Sequence, residues 1–174
     1  SPNDAYAMQA ILGIARSGAT YVPLNAADSI EGIAAFMASA DVVALICHEQ
    51  YLPHIEEIKA HLPTLELIAG LSKEVQPGGP SILGWMEAHS GERVEKITKA
   101  DDIAIIKTSG GTTGLPKAII QTHKALAVTY RVLNQFCQPK NDPVHLIVAP
   151  LTHAAGATAL ALARFGTTNV IASG

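Results

Sequence analysis

The chain has 174 residues, a formal net charge of -3, and a composition that is 48% hydrophobic and 16% charged. This length is enough for one domain with a buried core. Because the net charge is small and negative, we expect neither nucleic acid nor an anionic membrane surface as a partner. The sequence has no apolar run of about 18 residues, so we also expect no membrane-spanning helix.

The low share of charged residues indicates a piece of a larger protein, because some apolar faces would then meet parts of the protein outside this sequence. The chain also begins with Ser1 and enters a helical pattern within a few residues. Its two cysteines, Cys47 and Cys137, do not form a disulfide framework by their spacing. The predicted location is therefore the reducing cytoplasm.

The first half of the chain alternates between helical and extended patterns. Apolar residues at helical spacing predict helices over residues 5–17, 29–37, 51–61 and 81–89. Continuous apolar runs predict buried strands over residues 42–47 and 65–69, with a short extended segment over residues 21–24. Asn3 or Asp4 can cap the first helix, and Gly18 lies where that helix should end.

The second half continues the alternation. Strands are predicted over residues 103–107, 118–121, 144–149 and 169–172, and helices over residues 124–136 and 155–163. A loop over residues 108–117 separates the first two of these strands. The alternation as a whole predicts an α/β fold with a mainly parallel sheet flanked by helices.

The loop over residues 108–117 carries the clearest functional signal. Its residues are Thr108, Ser109, Gly110, Gly111, Thr112, Thr113, Gly114, Leu115, Pro116 and Lys117. Glycines let the backbone approach a ligand closely, and successive N–H groups in such a loop form a concave anion site. The hydroxyl groups add donors, and Lys117 adds a charge suited to phosphate. The loop therefore predicts the binding of a polyphosphate.

Other interpretations of this loop fit its length and spacing less well. A hairpin tip with a solvated lysine needs only about two to five residues, and a longer loop without structure of its own usually has a function. A Walker A loop requires glycine directly before its lysine, where this chain has Pro116. The dinucleotide fingerprint requires Gly-x-Gly-x-x-Gly at the start of a helix, and the spacing of Gly110, Gly111 and Gly114 differs from it.

Three segments together carry a family resemblance. The run from Ser109 to Lys117, followed by Gln121-Thr122-His123, resembles the phosphate-loop signature of the adenylate-forming, or AMP-binding, superfamily. Residues 16–25 and residues 149–156 resemble two further motifs of this family, in the same order, so that the motifs cover nearly the whole chain. One departure is Ala118, because the family most often has glycine after the lysine.

The resemblance implies that residues 1–174 are a fragment of the N-terminal AMP-binding domain of an acyl-CoA synthetase or other acid–CoA ligase. Such enzymes use ATP, Mg²⁺ and coenzyme A to convert a carboxylic acid, here expected to be fatty or aryl, into an acyl-adenylate and then a thioester. The adenine-contacting segment, the magnesium-binding glutamate, the ribose-binding aspartate and the C-terminal domain are expected beyond Gly174. The fragment alone is expected to be inactive.

The resemblance also implies roles for single residues. Thr108 to Gly114 and Lys117 would hold the phosphates of ATP, and Lys117 would also be catalytic. His153 resembles the family histidine near the substrate carboxylate and is the second catalytic candidate, although a histidine at a helix start can also be satisfied by the backbone. Thr152 is a weaker pocket candidate, and His123 is predicted to be structural.

Two alternatives stay open at this point. An amino-acid-activating adenylation domain of a peptide synthetase would add a downstream carrier domain and a pocket aspartate that pairs with the substrate amine. A homologue without catalysis would keep the loop for nucleotide binding alone. No metal site is predicted within the chain, because Cys47, His48, His54 and His61 lack the closely spaced pairs of structural zinc sites.

Overall fold

The computed structural model of the chain describes residues 2–72, 79–89, 91, 95, 97–108 and 118–172. Helices and strands are interspersed along these residues, as the predicted α/β class requires. The α-helices are α1 (Ala5–Ser17), α2 (Ile30–Ser39), α3 (Ile55–His61), α4 (Ile82–Ala88), α5 (His123–Phe136) and α6 (Ala154–Ala163). The strands are β1 (Ala44–Cys47), β2 (Leu67–Gly70), β3 (Ile103–Thr108), β4 (Ala118–Thr122), β5 (Val144–Ile147) and β6 (Thr168–Ile171).

The described strands form three pairs. β1 and β2 are parallel, with Ala44 opposite Leu67, and β5 and β6 are parallel, with Val144 opposite Thr168. β3 and β4 are antiparallel. Two of the three pairs thus have the predicted parallel direction, but they make separate small sheets where the sequence predicts one continuous sheet.

α1 begins and ends where its sequence predicts. Asp4 caps it, because Asp4 Oδ1 accepts hydrogen bonds from the N–H groups of Tyr6 at 2.6 Å and Ala7 at 3.4 Å. Gly18 ends the helix with a φ of 82°, a left-handed conformation that glycine adopts without steric cost. Because Asp4 caps the helix, the side chain of Asn3 can form hydrogen bonds with another part of the chain.

The single helix predicted over residues 51–61 is split in two. A 3₁₀ helix covers Glu49–His54, and the α-helix begins only at Ile55. Pro53 lies inside the 3₁₀ helix and explains the split, because proline has no N–H group with which to continue an α-helical ladder.

The extended segment predicted over residues 21–24 pairs at one residue only. Tyr21 forms an isolated parallel bridge with Ile105 of β3. Pro23 has no N–H group to donate to a ladder, which explains why the pairing goes no further.

Three hydrophobic clusters hold the helices against the strands. The largest joins α2 and α3 to β1 and β2, and its buried members include Ile33, Met37, Leu45, Ile58 and Ile68. The second joins α1 and α6 to β5 through Met8, Ile147, Leu151 and Ala159. The third joins α1 to α4 through Ala10, Leu71 and Ile82. Full burial of one such large apolar side chain contributes roughly 1.5–3 kcal/mol.

Apolar side chains stay exposed on α5 and around β5. None of the residues of α5 is buried, and Phe136 at its C-terminal end is 84% exposed. Around β5, Val144 is 68% exposed, Leu146 59% and Val148 72%. Several exposed apolar side chains close together in the sequence favour a surface that meets another part of a protein or a partner.

Gly156, in the first turn of α6, lies where only glycine fits. A Cβ atom at this position would overlap the carbonyl oxygen of Leu151, which belongs to the backbone and has little freedom to move. Gly156 itself is buried. The small side chain therefore allows α6 to pack closely on the turn that precedes it.

Replacing Gly156 with alanine should lower the free energy of unfolding by about 1–3 kcal/mol, the usual cost of overpacking. Gly13 in the middle of α1 is a matched control, because no atom outside its own helix backbone lies within 4 Å of a Cβ built there. Gly13→Ala should stabilise the protein by about 0.5–1 kcal/mol, since alanine is the better helix former. Urea or thermal unfolding measures both variants, and effects of the same sign would contradict the close approach at Gly156.

Candidate active site

The β3–β4 hairpin holds the two ends of the glycine- and threonine-rich loop. Thr108 is the last residue of β3 and pairs with Ala118, the first residue of β4. In the next position along the hairpin, Lys107 pairs with Ile119. Residues directly opposite each other in an antiparallel pair have Cα atoms about 4.5–5.5 Å apart. The loop therefore leaves the hairpin and returns to it at neighbouring points.

One boundary of this loop differs from the prediction. The sequence places Thr108 in the loop, whereas its pairing with Ala118 makes it part of β3. The other predicted phosphate-binding residues lie outside the described residues: Ser109, Gly110, Gly111, Thr112, Thr113, Gly114 and Lys117. Their contacts with phosphate stay predictions.

The hairpin continues directly into α5. Thr122, the last residue of β4, caps this helix, because its Oγ1 accepts a hydrogen bond from the Ala125 N–H at 3.2 Å. The N–H of His123 donates to the carbonyl oxygen of Asp102 at 3.1 Å, which ties the start of α5 to the start of β3. The Nε2 atom of His123 is buried and has no hydrogen-bond partner among the described residues.

The segment after α1 supports β3 along its other edge. The N–H of Tyr21 donates to the carbonyl oxygen of Ala104 at 2.9 Å, and the N–H of Ile106 donates to that of Tyr21 at 3.0 Å. Thr20 Oγ1 donates to the carbonyl oxygen of Ile103 at 3.1 Å. Burial raises the pKa of Tyr21 to about 12, so its phenol is neutral at physiological pH. The motif over residues 16–25 therefore contacts the strand that leads into the loop.

The turn between β5 and α6 is fixed by Asn3. The Nδ2 of Asn3 donates to the carbonyl oxygen of Ala149 at 3.0 Å, and the N–H of Leu151 donates to Asn3 Oδ1 at 2.9 Å. Within the turn, the N–H of His153 donates to the carbonyl oxygen of Pro150 at 3.0 Å. These bonds fix the backbone that carries His153.

His153 is the N-cap residue of α6, and its side chain is exposed. The side chain makes no capping hydrogen bond, so the interpretation of this histidine as a helix cap gains no support. Among the residues that the structure describes, none forms a hydrogen bond with its ring. Within the described ranges the ring is therefore exposed and without a hydrogen-bond partner.

β3 and the β5–α6 turn meet at one cavity of about 500 Å³. Ile106, close to the end of β3, and Thr152, directly before His153, both line it. No hydrogen bond or ion pair joins Thr108 to His153 within the described part of the chain. The structure thus brings the two segments to a common space without linking the two predicted site residues directly.

The cysteine and histidines around α3 have separate surroundings. Burial raises the pKa of Cys47 to about 11. His48 Nδ1 accepts a hydrogen bond from the Gln50 N–H at 3.2 Å, and His61 Nδ1 lies 2.8 Å from the carbonyl oxygen of Glu57. In the described ranges, no group of three His, Cys, Asp or Glu side chains could hold a metal ion.

The whole chain, residues 1–174, matches the family model for AMP-binding enzymes, and the protein belongs to this family. It is 30% identical over 127 residues to 2-hydroxy-7-methoxy-5-methyl-1-naphthoate–CoA ligase of Streptomyces carzinostaticus. The aligned region covers 67% of this chain and 22% of that protein. It is 28% identical over 134 residues to pyochelin synthetase PchF of Pseudomonas aeruginosa. The aligned region covers 77% of this chain and 6% of that protein. Its structure matches ATP-bound MatB from Rhodopseudomonas palustris with a TM-score of 0.78 and 25% identity, over 99% of this chain and 33% of that one.

These matches confirm the family resemblance that the three motifs carry, and the structural match confirms the α/β fold. The chain spans 22% of the naphthoate–CoA ligase and 33% of MatB, so the relatives are much longer. None of the described helices is long and apolar enough to cross a membrane.

One supporting residue of the site, Asn3, is not found by sequence reasoning. The sequence allows either Asn3 or Asp4 as the cap of α1, and the structure assigns that role to Asp4. Asn3 instead binds the backbone of Ala149 and Leu151, whose sequence separations from it are 146 and 148 residues. Local patterns carry no information over such separations.

Replacing Asn3 with alanine should destabilise the β5–α6 turn by about 1–2 kcal/mol, because the Leu151 N–H and the Ala149 carbonyl both lose their partner. Hydrogen exchange of the Leu151 amide measures this directly and should become roughly tenfold faster. Asn3→Asp keeps the acceptor for Leu151 but loses the donor to Ala149, so its effect on that amide should be smaller. Equal exchange in the wild type and Asn3→Ala would contradict the role of this side chain.

Proposed function

We propose that the full-length protein is an ATP-dependent acid–CoA ligase. In the first step, a carboxylate oxygen of the substrate attacks the α-phosphorus of ATP, and pyrophosphate leaves with the electron pair of the broken P–O bond. In the second step, the thiolate of coenzyme A attacks the acyl carbon, and AMP leaves. The proposal rests on a hairpin that closes a glycine-, threonine- and lysine-containing loop in a chain of the AMP-binding family.

The loop is suited to the β- and γ-phosphates of ATP. Because Thr108 pairs with Ala118, the two ends of the loop are already positioned. The loop therefore loses less conformational freedom when a triphosphate binds. Lys117 directly precedes Ala118, so the backbone of the lysine is attached to the ordered end of the hairpin. A cation held beside the leaving pyrophosphate stabilises the negative charge that develops there.

His153 is proposed to contact the carboxylate of the acid. Its exposed ring and the hydrogen-bonded turn beneath it support this role. A ring N–H that donates to one carboxylate oxygen would orient the other oxygen toward the α-phosphate. This orientation lowers the entropic cost of aligning the two reacting groups. Thr152, which is half-buried beside it, is the secondary pocket candidate.

Residues 1–174 are proposed to be one part of a larger N-terminal AMP-binding domain. The exposed apolar surfaces on α5 and around β5 support this, because both need a cover that the described residues do not provide. The ligands of Mg²⁺, the adenine and ribose contacts and the C-terminal domain are proposed to lie beyond Gly174. We therefore expect residues 1–174 alone to be inactive. The free thiols of Cys47 and Cys137 support the proposal of a reducing, cytoplasmic location.

An amino-acid-activating adenylation domain is the second candidate function. The similarity to pyochelin synthetase PchF favours it. The two functions share the adenylation step and differ in the acid and in the thiol that captures it. A nucleotide-binding homologue without catalysis is the third candidate, and it predicts ATP binding without either product.

Lys117→Ala should lower carboxylate-dependent ATP–pyrophosphate exchange of the full-length protein by about 100- to 1,000-fold, the usual cost of removing one group that stabilises transition-state charge. Lys140→Ala is the matched control, because Lys140 is exposed in the connection between α5 and β5. The panel of acids should include fatty, aryl and amino acids.

Exchange with a fatty or aryl acid, followed by a CoA thioester on addition of coenzyme A, is the expected result. Exchange only with an amino acid and no thioester with CoA would favour the adenylation domain. ATP binding without exchange for any acid would contradict both enzymatic functions.

His153→Ala should raise the KM for the acid by about tenfold and change the KM for ATP little, since one orienting hydrogen bond contributes about 1–2 kcal/mol. His61→Ala serves as the control, because His61 is an exposed histidine on α3 whose Nδ1 lies 2.8 Å from the Glu57 carbonyl oxygen of its own helix. Steady-state kinetics with the acid identified by exchange measures both variants. An unchanged KM for the acid in His153→Ala would remove this residue from the site.

A further inference from the structure

The side chain of Asn3 binds the β5–α6 turn on both sides of Pro150. Its Nδ2 donates to the carbonyl oxygen of Ala149 at 3.0 Å, and its Oδ1 accepts from the N–H of Leu151 at 2.9 Å. Proline has no N–H group, so the backbone of the turn has one donor fewer with which to hold itself. The amide of asparagine supplies a donor and an acceptor in one planar group, and both are used here.

Asn3 is attached to the start of α1, which gives this contact a fixed base. Asp4, the next residue, caps α1 through the N–H groups of Tyr6 and Ala7. Met8, one turn further along the helix, belongs to the same buried cluster as Leu151. α1 therefore holds the β5–α6 turn through a polar contact at Asn3 and an apolar cluster at Met8.

Leu151 transmits these contacts to His153. Its N–H is bound by Asn3, its side chain is buried, and its carbonyl oxygen lies where a Cβ atom on Gly156 would overlap it. His153 follows two residues later, and its own N–H donates to the carbonyl oxygen of Pro150 at 3.0 Å. A displacement of Leu151 would therefore change the position from which the ring of His153 extends.

We propose that Asn3 is a positioning residue for His153 in the binding of the carboxylic acid, an inference that rests on the role of His153 under the proposed function. Asn3 acts through the turn, since its Nδ2 and its Oδ1 both bond the backbone there. A binding group must be held within about 0.5 Å of its productive position to keep its contact with a ligand. Asn3 provides this support from near the opposite end of the sequence.

The variant Asn3→Ala in the full-length protein tests this role by steady-state kinetics. It should raise the KM for the acid by about three- to tenfold and leave the KM for ATP within about twofold of the wild type. The upper limit follows from the mechanism, because a residue that acts through His153 cannot cost more than the loss of its ring, which is expected to be about tenfold. Asn3→Asp keeps the acceptor for Leu151 and should give an intermediate KM for the acid.

The double variant Asn3→Ala with His153→Ala separates positioning from an independent effect. Its KM for the acid should equal that of His153→Ala within about twofold, since no ring is left to position. Two independent effects would instead multiply, to a KM about 30- to 100-fold above that of the wild type. Such multiplication would overturn the proposal.

Ser29→Ala is the matched control for lost stability. Ser29 caps α2, where its Oγ accepts a hydrogen bond from the Gly32 N–H at 3.1 Å, and the buried residues of α2 pack with α3, β1 and β2. Its melting temperature should fall by an amount similar to that of Asn3→Ala, while its KM for the acid stays unchanged. An equal rise of this KM in Ser29→Ala would show an effect of stability alone and would also overturn the proposal.

Hydrogen exchange of the His153 amide tests the same role without substrate. This amide bonds Pro150 within the turn, and in Asn3→Ala it should exchange at least about threefold faster. Unchanged exchange would show that the contact of Asn3 does not reach His153, whatever the activity of the protein. A raised KM for the acid in His153→Ala but not in Asn3→Ala would overturn the positioning role alone. No rise in His153→Ala would instead contradict the proposed function of that histidine.

Discussion

β3 is the strand on which the rest of the described site depends, because backbone hydrogen bonds hold it along both edges. On one edge it pairs with β4 through Thr108 and Ala118, and on the other it pairs with Tyr21. The proposed phosphate loop would lose conformational entropy on binding a triphosphate, and this loss is smaller when its ends are already positioned. The two-sided support of β3 provides those positions before any ligand arrives.

The turn that carries His153 depends on a different set of contacts. Asn3 holds it from the side of α1, and Leu151 and Ala159 attach it to the cluster formed with Met8. Both sets of contacts include the region around α1, which precedes Tyr21 along the chain. α1 and the residues that flank it therefore contact both β3, which leads into the loop, and the turn that carries His153.

The sequence predicts most of the elements because their signals are local. The cap at Asp4, the left-handed Gly18 and the helical periodicity of α1 all act within a few residues of each other. Pro53 is also a local signal, and the split of the helix over residues 51–61 follows from its missing N–H group. The family resemblance is equally local within each motif, and the match over the whole chain confirms it.

The remaining features could not be predicted because they depend on contacts between distant residues. The contact of Asn3 with the β5–α6 turn is one example. The pairing of Thr108 with Ala118 is another, since the Gly/Thr composition that follows Thr108 favours an earlier end of the strand. Gly156 is a third example, since the overlap of a Cβ atom there with the Leu151 carbonyl oxygen depends on how the turn folds, and composition alone does not show it.

The separation of the strands into small pairs makes them depend on the helices. A single strand pair is only marginally stable in water, and packing against a helix supplies the stability that further strands would otherwise give. β1 pairs with β2 along one edge, and within the described ranges no named strand pairs with its other edge. Ile33 and Met37 of α2 and Ile58 of α3 pack on this pair together with Leu45 and Ile68. The buried apolar cluster, rather than the strand ladder alone, therefore holds this part of the fold together.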